Sequence, residues 1–417
     1  MGESAFITPD APVTASVRRS NRHHTEVDVP LLCALIVLSL IGLVFVYSSS
    51  WEFSMIFYSS PYSMFWRQLL FFTAGIGIAV IISSIDYHKF RKLIILGTFA
   101  VLIMLALVAL GIGETRLGAN RTLFGGSVQP SEFAKLATVF YLSLWLYSKR
   151  DKLNEFSFGL LPLAAIIGIM AGLIVLQPDI SAAFTVVLLS CFLFYIAGGE
   201  LRQIVLITVI AIITAWIAVS VYPSGRARLQ GYIAGIQDPQ NATDQVIRSI
   251  EAIVHGGFFG VGIGQSSVKF TGLPVAPLDS IFAVIAEETG ILGSLIIIVL
   301  YVVILWRGLY IAENAPDLFG KLLAAGVSVW IFIEAMVNML AMVNMMPFAG
   351  NALPLISAGG SSLITAMVGI GILFSVNRTS EKMKEYKEGS VNNAVVDLRR
   401  GDRRGRVPRS VRSGRTR

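Results

Sequence analysis

The stretch APLDSIFAVIAEETGILGSLIIIVLYVVILW, residues 276–306, decides the fold class of this chain. Most of it is apolar, over more than the roughly 20 residues that a helix needs to cross a bilayer. Yet Asp279 stands at its entrance, and Glu287 and Glu288 lie inside it. A charge at the centre of a membrane helix costs about 2.5–3.5 kcal/mol on insertion scales. We therefore expect Glu287 and Glu288, which cannot both point the same way, to face a polar interior rather than lipid.

The composition of the whole chain also indicates a membrane protein. Of the 417 residues, 55% are hydrophobic and only 14% are charged, whereas a soluble domain has about 25% charged residues. Cys33 and Cys191 both lie in apolar runs, and the four histidines are scattered. The sequence therefore predicts neither a disulfide framework nor a metal motif.

Ten segments are apolar and long enough to be membrane helices. They cover residues 29–49, 64–84, 92–113, 131–148, 158–176, 180–199, 202–222, 280–306, 318–346 and 352–376. The polar segment 1–28 lacks a signal-peptide cleavage site, and we expect it to be retained, disordered and cytoplasmic. The prediction is an all-α polytopic membrane protein with a ten-helix domain over residues 29–376.

The distribution of basic residues predicts the orientation. With the N-terminus in the cytoplasm, most Lys and Arg residues fall on the cytoplasmic side, as membrane insertion favours. The net charge of +7 is then mainly topological and does not indicate nucleic-acid binding. The tail, residues 377–417, is rich in Arg, Gly and Ser, and we expect it to be cytoplasmic and disordered, near anionic lipid or bound to a partner's cytoplasmic segment.

One predicted extracellular loop, residues 223–279, is too long to be a simple connection. Within it, Ile247, Ile250 and Val254 have the spacing of one helix face. We expect an amphipathic helix that lies on the membrane surface or packs on the bundle. Long structured loops are usually functional.

Polar residues cluster at the segment ends that this topology places outside. They are Gln129, Ser131, Glu132 and Lys135 before or within the fourth segment, Asp179 before the sixth, Arg226, Arg228 and Asp279 in the long loop, and Ser357 in the tenth. Each has a structural explanation: Asp179 and Asp279 could cap helices, and Glu132 and Lys135 could pair on one helix face. The residues alone support either a transporter with an acid-lined cavity or a membrane enzyme active at the outer face.

Six motifs occur in a fixed order along the chain. They are QPSEFAKLA (129–137), QPDISAA (177–183), RARLQGYIAGIQDP (226–239), AIVHGGFFGVGIGQS (252–266), LPVAPLDSIFAVIAEETGILG (273–293) and LPLISAGGSSL (353–363). With ten helices in matching topology, they resemble the FtsW/RodA/SpoVE family, the SEDS proteins, over about residues 30–378. The chain departs from the family pattern at Leu278, Ser280, Ser181, Ala358 and Glu334, and it lacks a Trp after Arg121.

The resemblance implies a peptidoglycan glycosyltransferase that polymerises lipid II at the outer face of the bacterial inner membrane. It also implies a class B penicillin-binding protein as the crosslinking partner. The family's essential acid corresponds to Asp279, its Glu and Lys to Glu132 and Lys135, and an Arg, less securely, to Arg226. Lipid II is α-linked and the glycan strand is β-linked, so we expect inversion with Asp279 as general base.

The leaving diphosphate then needs positive charge. Arg226, Arg228, Lys135, outward helix N-termini or a divalent cation could supply it; no other cofactor is expected. We expect Gln129, Ser131 and Ser357 to contact substrate as well. Asp179, Glu287 and Glu288 are expected to hold the polar cavity and the nearby helices.

The segment after residue 306 and the basic tail resemble division-type FtsW more than elongation-type RodA, which implies the septum and other divisome proteins as partners. A RodA-like role in cell shape is the alternative within the family. Two functions other than glycan polymerisation are also alternatives: a lipid II flippase, and a scaffold that activates a partner synthase. Both predict that Asp279 is not needed as a base.

Overall fold

The computed structural model describes residues 27–116, 119–123, 128–153, 155–269, 272–273 and 276–401. The predicted disordered segment 1–28 falls almost wholly outside these ranges, as does the end of the tail, residues 402–417. Within them the chain is almost entirely helical. The short strands β1 (Glu114–Arg116) and β2 (Ala119–Thr122) pair in antiparallel fashion.

The described part contains thirteen α-helices. They are α1 (Val29–Ser49), α2 (Trp51–Tyr58), α3 (Ser63–Ser84), α4 (Arg91–Ala109), α5 (Pro130–Lys149), α6 (Leu161–Val175), α7 (Ile180–Ile196), α8 (Leu201–Val221), α9 (Pro223–Gln237), α10 (Asp244–Gly256), α11 (Ile281–Glu313), α12 (Leu318–Met342) and α13 (Gly360–Gly401). Short 3₁₀ turns at Tyr87–Phe90, Arg150–Lys152 and Pro239–Asn241 and a π turn at Phe156–Leu160 join some of them.

Seven of the helical segments are long and apolar enough to cross a membrane, which makes the chain a multi-pass membrane protein. They are α1, α3, Tyr87–Ala109, α8, α11, α12 and Gly360–Lys387. Two further apolar helices, α6 and α7, have 15 and 17 residues. Helix α5 carries Glu132, Lys135 and Lys149. Each of the ten predicted segments overlaps a helix, although the tenth, predicted from residue 352, begins only at Gly360. The number of ten crossings stays a prediction.

Helix α12 lies at the centre of the bundle. In the most apolar 18-residue stretch of α12, 83% of the residues are buried, whereas the figure for the corresponding stretches of α3 and α8 is 11%. Small residues, including Gly320, Ala324 and Gly326, let neighbouring helices approach closely; a Cβ added at Gly326 would lie 2.6 Å from Val139 of α5. The central helix therefore serves as the common packing partner around which the polar side chains are arranged.

Helices α1 and α11 run side by side and are joined at both ends. At one end Arg307 forms a bidentate ion pair with Asp28, at 2.5 and 3.1 Å, just before α1 begins. At the other end the Ser48 hydroxyl donates to Glu288 at 2.8 Å. Helix α11 is interrupted at Gly290, whose φ of 70° lies outside the helical region.

The predicted loop and tail differ in part from the structure. The predicted amphipathic helix of segment 223–279 is present as α10, which packs on the bundle through Val246, Ser249, Ala252 and Gly256, whereas Val254 of the predicted apolar face is 74% exposed. Helix α13 continues to Gly401, so residues 377–401 are helical rather than disordered. The Glu381–Lys384 pair, at 2.9 Å, supports that extension.

Candidate active site

A cavity of about 1140 Å³ opens between the helix ends where the predicted polar residues lie. Among the described residues, its charged lining consists of three acids and three arginines. These are Glu132, Asp179 and Asp279, and Arg67, Arg121 and Arg228. The cavity thus combines carboxylates that can accept protons with cations that can hold an anionic ligand.

Asp279 reaches this cavity from the segment before α11. Ser280, not Asp279, occupies the N-cap position of that helix, so capping does not explain the acid. Gln245 of α10 donates to its carboxylate at 3.3 Å, and Asn338 of α12 donates to its main-chain carbonyl at 2.8 Å. Burial raises the pKa of Asp279 to about 6, which suits a general base working near neutral pH.

Arg228 lies close to Asp279, beside Gly350. A Cβ added at this glycine would lie 3.6 Å both from Arg228 Nη2 and from Asp279 Oδ2. The Arg228 guanidinium donates to the Ala349 carbonyl at 3.2 Å and stacks on Phe348. Arg226, two residues earlier on α9, is exposed and does not line the cavity. Of the two arginines predicted from this loop, the structure brings only Arg228 to the acid.

Asp179 organises a second side of the cavity. It caps α7 through the Ala182 amide, as its position predicted, and it accepts hydrogen bonds from Ser131 at 2.9 Å and Gln129 at 3.3 Å. Burial alone would raise the pKa of Asp179, but the nearby Arg121 charge and the Ser131 hydroxyl lower it. Gln129 lines the cavity, whereas Ser131 lies behind its wall.

Arg121 and Arg67 are cavity residues that the sequence analysis did not single out. Arg121 donates to the main-chain carbonyls of Gln177 and Pro178, and Arg67 donates to the Tyr58 hydroxyl at 2.9 Å. The signal for Arg67 was present, because a charge inside an apolar segment generally faces a cavity. Nothing in the sequence indicated that Arg121 reaches across to the α6–α7 turn.

Lys135 is buried behind the cavity, between two acids. Its ammonium lies 2.8 Å from Glu132 Oε1 and also bonds Glu334 of α12. The predicted Glu132–Lys135 pair is therefore present, with Glu334 as an additional partner. Glu132 faces the cavity, and its Oε2 has no hydrogen-bond partner within the described residues. Lys135 itself does not line the cavity.

Ser357 also lies behind the cavity wall, whereas the sequence analysis expected it to contact substrate directly. Its hydroxyl accepts from the Leu353 amide at 2.7 Å, and its carbonyl accepts from Gln68 at 3.1 Å. These bonds hold the turn that precedes α13. The neighbouring Gly359, Ser361 and Ser362 line the cavity in its place.

Glu287 and Glu288 do not line the cavity, and their expected place there is wrong. Glu287 accepts hydrogen bonds from Ser267 and His255, and Glu288 from the Gly264 amide and Lys269. Both acids therefore anchor the chain that follows α10. Within the described residues, no group of three His, Cys, Asp or Glu side chains could hold a metal ion.

Comparison with known proteins agrees with this architecture. The sequence pattern of a family described as a cell cycle protein, FtsW/RodA/SpoVE, matches residues 29–382. Stage V sporulation protein E of Bacillus subtilis (strain 168) is 34% identical over 85% of this chain and 98% of its own length. A protein named probable peptidoglycan glycosyltransferase FtsW, from Trichlorobacter lovleyi, is 35% identical over 84% of this chain and 93% of its own.

Solved structures show the same fold. One, described as the structural coordination of polymerization and crosslinking by a peptidoglycan synthase complex, has a TM-score of 0.68 at 24% identity and covers 85% of this chain and 98% of its own. The rod shape determining protein RodA of Thermus thermophilus has a TM-score of 0.62 at 23% identity, over 84% and 96% of the two chains. The motifs occur in the family's order, the helical fold is shared, and the family pattern covers most of the chain. This chain therefore belongs to the FtsW/RodA/SpoVE family.

Proposed function

We propose that this protein is a peptidoglycan glycosyltransferase that polymerises lipid II at the outer face of the bacterial inner membrane. The observation that carries the proposal is the position of Asp279, an acid with a raised pKa in a large cavity that it shares with three arginines. Membership of a family with relatives named peptidoglycan glycosyltransferase supports the same activity.

The chemistry follows from these residues. A hydroxyl of one sugar attacks the anomeric carbon of another, a new C–O bond forms, and the bond to the lipid diphosphate breaks. Asp279 accepts the proton that the hydroxyl loses. Because α-linked lipid II becomes a β-linked strand, displacement is direct and needs no covalent sugar–enzyme intermediate.

The charge that develops on the leaving diphosphate is matched by the arginines of the cavity. Arg228 lies close to Asp279, and Arg121 and Arg67 line the same cavity. Chelation with EDTA tests whether a divalent cation, shared between the diphosphate and a cavity carboxylate, adds to this charge.

We also propose the biological setting. The likeness of the later segments to division-type proteins favours strand synthesis at the septum, with both termini in the cytoplasm and a class B penicillin-binding protein, among other divisome proteins, as partner. Depletion of the protein distinguishes the alternatives: filamentous cells support the division role, and rounded cells support an elongation role.

The deciding experiment measures glycan strands formed from purified lipid II in detergent. Native protein and Asp279→Asn are each combined with the cognate class B penicillin-binding protein carrying an inactive transpeptidase site. We expect polymer from the native complex and none from a folded Asp279→Asn complex. Asp244→Asn, at an exposed position at the start of α10, is the matched control and should retain activity.

Two outcomes would contradict the proposal. Equal polymer from native protein and Asp279→Asn would remove this acid from the chemistry. Absence of polymer from an intact, correctly assembled native complex would favour a lipid II flippase or a scaffold instead.

A further inference from the structure

The chain between α10 and α11 carries an apolar surface that the proposed activity does not use. We call residues 254–263 the loop tip. Four of its side chains are largely exposed: Val254 at 74%, Phe258 at 68%, Phe259 at 81% and Ile263 at 65%. Such a cluster of large apolar side chains marks an interaction surface.

The backbone of the loop tip is joined to α11 at the Gly290 break. The Ile291 and Leu292 amides donate to the carbonyls of Gly257 and Phe258, at 2.9 and 3.3 Å. In return, the Val261 and Gly262 amides donate to the carbonyls of Glu287 and Glu288, both at 3.0 Å. The break in α11 thus exchanges helix hydrogen bonds for bonds to the loop tip, and these main-chain polar groups remain paired.

The pairing of α1 with α11 indicates how deep this junction lies. Helix α1 has 21 residues and is therefore about 31 Å long, close to the thickness of a hydrocarbon core. It begins beside Arg307 and ends beside Glu288. The membrane-crossing part of α11 therefore extends from about Glu288 to Arg307, and Glu288 marks its boundary on the Asp279 side.

Ile291 and Leu292 lie beyond that boundary, roughly 5 Å inside the apolar layer at 1.5 Å per residue. Since the carbonyls of Gly257 and Phe258 bond these two residues, the loop tip lies at the same depth. The exposed side chains of α11 from that level inward are Ile291, Leu292, Leu295 and Ile296. The apolar surface of the loop tip is continuous with this lipid-facing surface.

The two acids near the junction are directed away from lipid, while the side chain of His255, which bonds Glu287, is 57% exposed. The Glu287 and Glu288 side chains have no exposed area, and they are held by Ser267 and Lys269 on the protein side. Non-helical backbone is tolerated at membrane depth only where it is buried in protein or lines a water-filled cavity. The four exchanged bonds hold that part of the loop-tip backbone against α11, and the apolar side chains are presented outward.

We propose that the loop tip, through Phe258, Phe259 and Ile263, inserts into the lipid leaflet on the Asp279 side of the membrane. The occupant of this apolar surface is thus the acyl-chain region of the bilayer. Because α10 also carries Gln245, which bonds Asp279, insertion ties the depth of the candidate base to the depth of the membrane.

The test measures the surroundings of a fluorophore at position 259. Cys33 and Cys191 are replaced by Ala, Phe259→Cys is labelled with bimane, and the full chain is reconstituted in phosphatidylethanolamine–phosphatidylglycerol vesicles. Leu295→Cys, on the exposed face of α11, is the lipid-facing control. Gln240→Cys, in an exposed turn, is the aqueous control. Protease resistance and size-exclusion profiles verify that each variant is folded.

We expect position 259 to behave like position 295. Lipids spin-labelled near the headgroup end of the acyl chain should quench it strongly, and aqueous iodide should quench it several-fold less than at position 240. Iodide quenching equal to that at position 240 would overturn the proposal. Protection from iodide that disappears when the protein is diluted with lipid, without quenching by spin-labelled lipid, would also overturn it and would assign the surface to a second copy of the chain.

Discussion

At the residue scale, the candidate site depends on a few charges whose neighbours differ. Asp179 accepts a hydrogen bond from the Gln129 amide, and the nearby Arg121 charge and the Ser131 hydroxyl keep its pKa low despite burial. Asp279 has one side-chain amide donor and a raised pKa of about 6. The two acids share one cavity, yet their surroundings suit them to different tasks: Asp179 to structure and Asp279 to proton transfer.

The pH dependence of the activity should follow Asp279. A base must be ionised to accept a proton, and a pKa raised to about 6 keeps this carboxyl protonated below that value. We expect kcat/KM for strand synthesis to be level above about pH 7 and to fall about tenfold per unit as the pH drops below 6. Measurement of kcat/KM in detergent across this pH range tests the prediction.

Thermal unfolding at each pH serves as the control, since it separates titration of the base from loss of the fold. A profile that stays level down to about pH 5, with the protein folded, would show that Asp279 does not limit the rate as a base.

At the element scale, the break in α11 is a built feature with steric requirements. Gly260 has a φ of 79°, and a Cβ at this position would lie 2.2 Å from the Glu288 carbonyl oxygen. A Cβ added at Gly290, on the other side of the junction, would lie 2.5 Å from the Gly260 amide nitrogen and from the Phe258 carbonyl oxygen. Two glycines therefore let the loop tip approach α11 closely enough to exchange main-chain hydrogen bonds.

We expect Gly260→Ala to destabilise the protein by at least about 2 kcal/mol, because it adds a backbone clash to the strain of a positive φ. Gly111→Ala is the matched control. Gly111 has a φ of 86° but no atom within 4 Å of an added Cβ, so it should show only the conformational strain, about 1 kcal/mol. Thermal unfolding in detergent compares the two. Equal losses of stability for the two variants would mean that the contact between the added Cβ and the Glu288 carbonyl costs nothing.

At the scale of the whole molecule, buried charges join helices that are far apart in the chain. Lys135 of α5 lies between Glu132 and Glu334 of α12. One turn further along α12, Asn338 bonds the main chain of Asp279. The central helix thus positions both the buried ion pair and the segment that carries the candidate base.

Removing the single cation of this cluster should be far more damaging than removing one acid. Lys135→Met leaves two buried carboxylates facing each other, and we expect a loss of about 3–5 kcal/mol in unfolding free energy. Glu334→Gln keeps the Lys135–Glu132 pair and should change stability by less than about 1 kcal/mol. Unfolding in detergent at neutral pH measures both. A larger loss for Glu334→Gln than for Lys135→Met would show that Glu334, not Lys135, is the essential member.

The sequence by itself determined the fold class, and the resemblance of its motifs to the FtsW/RodA/SpoVE family singled out Asp279 as the candidate base. In a membrane each helix satisfies its own main-chain hydrogen bonds, so a long apolar segment indicates a helix without reference to the rest of the chain. The approximate helix positions could therefore be predicted without knowledge of the tertiary contacts.

Only the tertiary structure decided where the polar side chains point. Glu287 and Glu288 turn to residues 264–269, after α10. Ser131 and Ser357 lie behind the cavity wall, and Arg121 and Arg67 enter it. These placements depend on contacts between distant parts of the chain, such as Lys135 and Glu334, which are 199 residues apart. A helical period shows which residues share a face, but the direction of that face is set by packing against helices that local sequence does not specify.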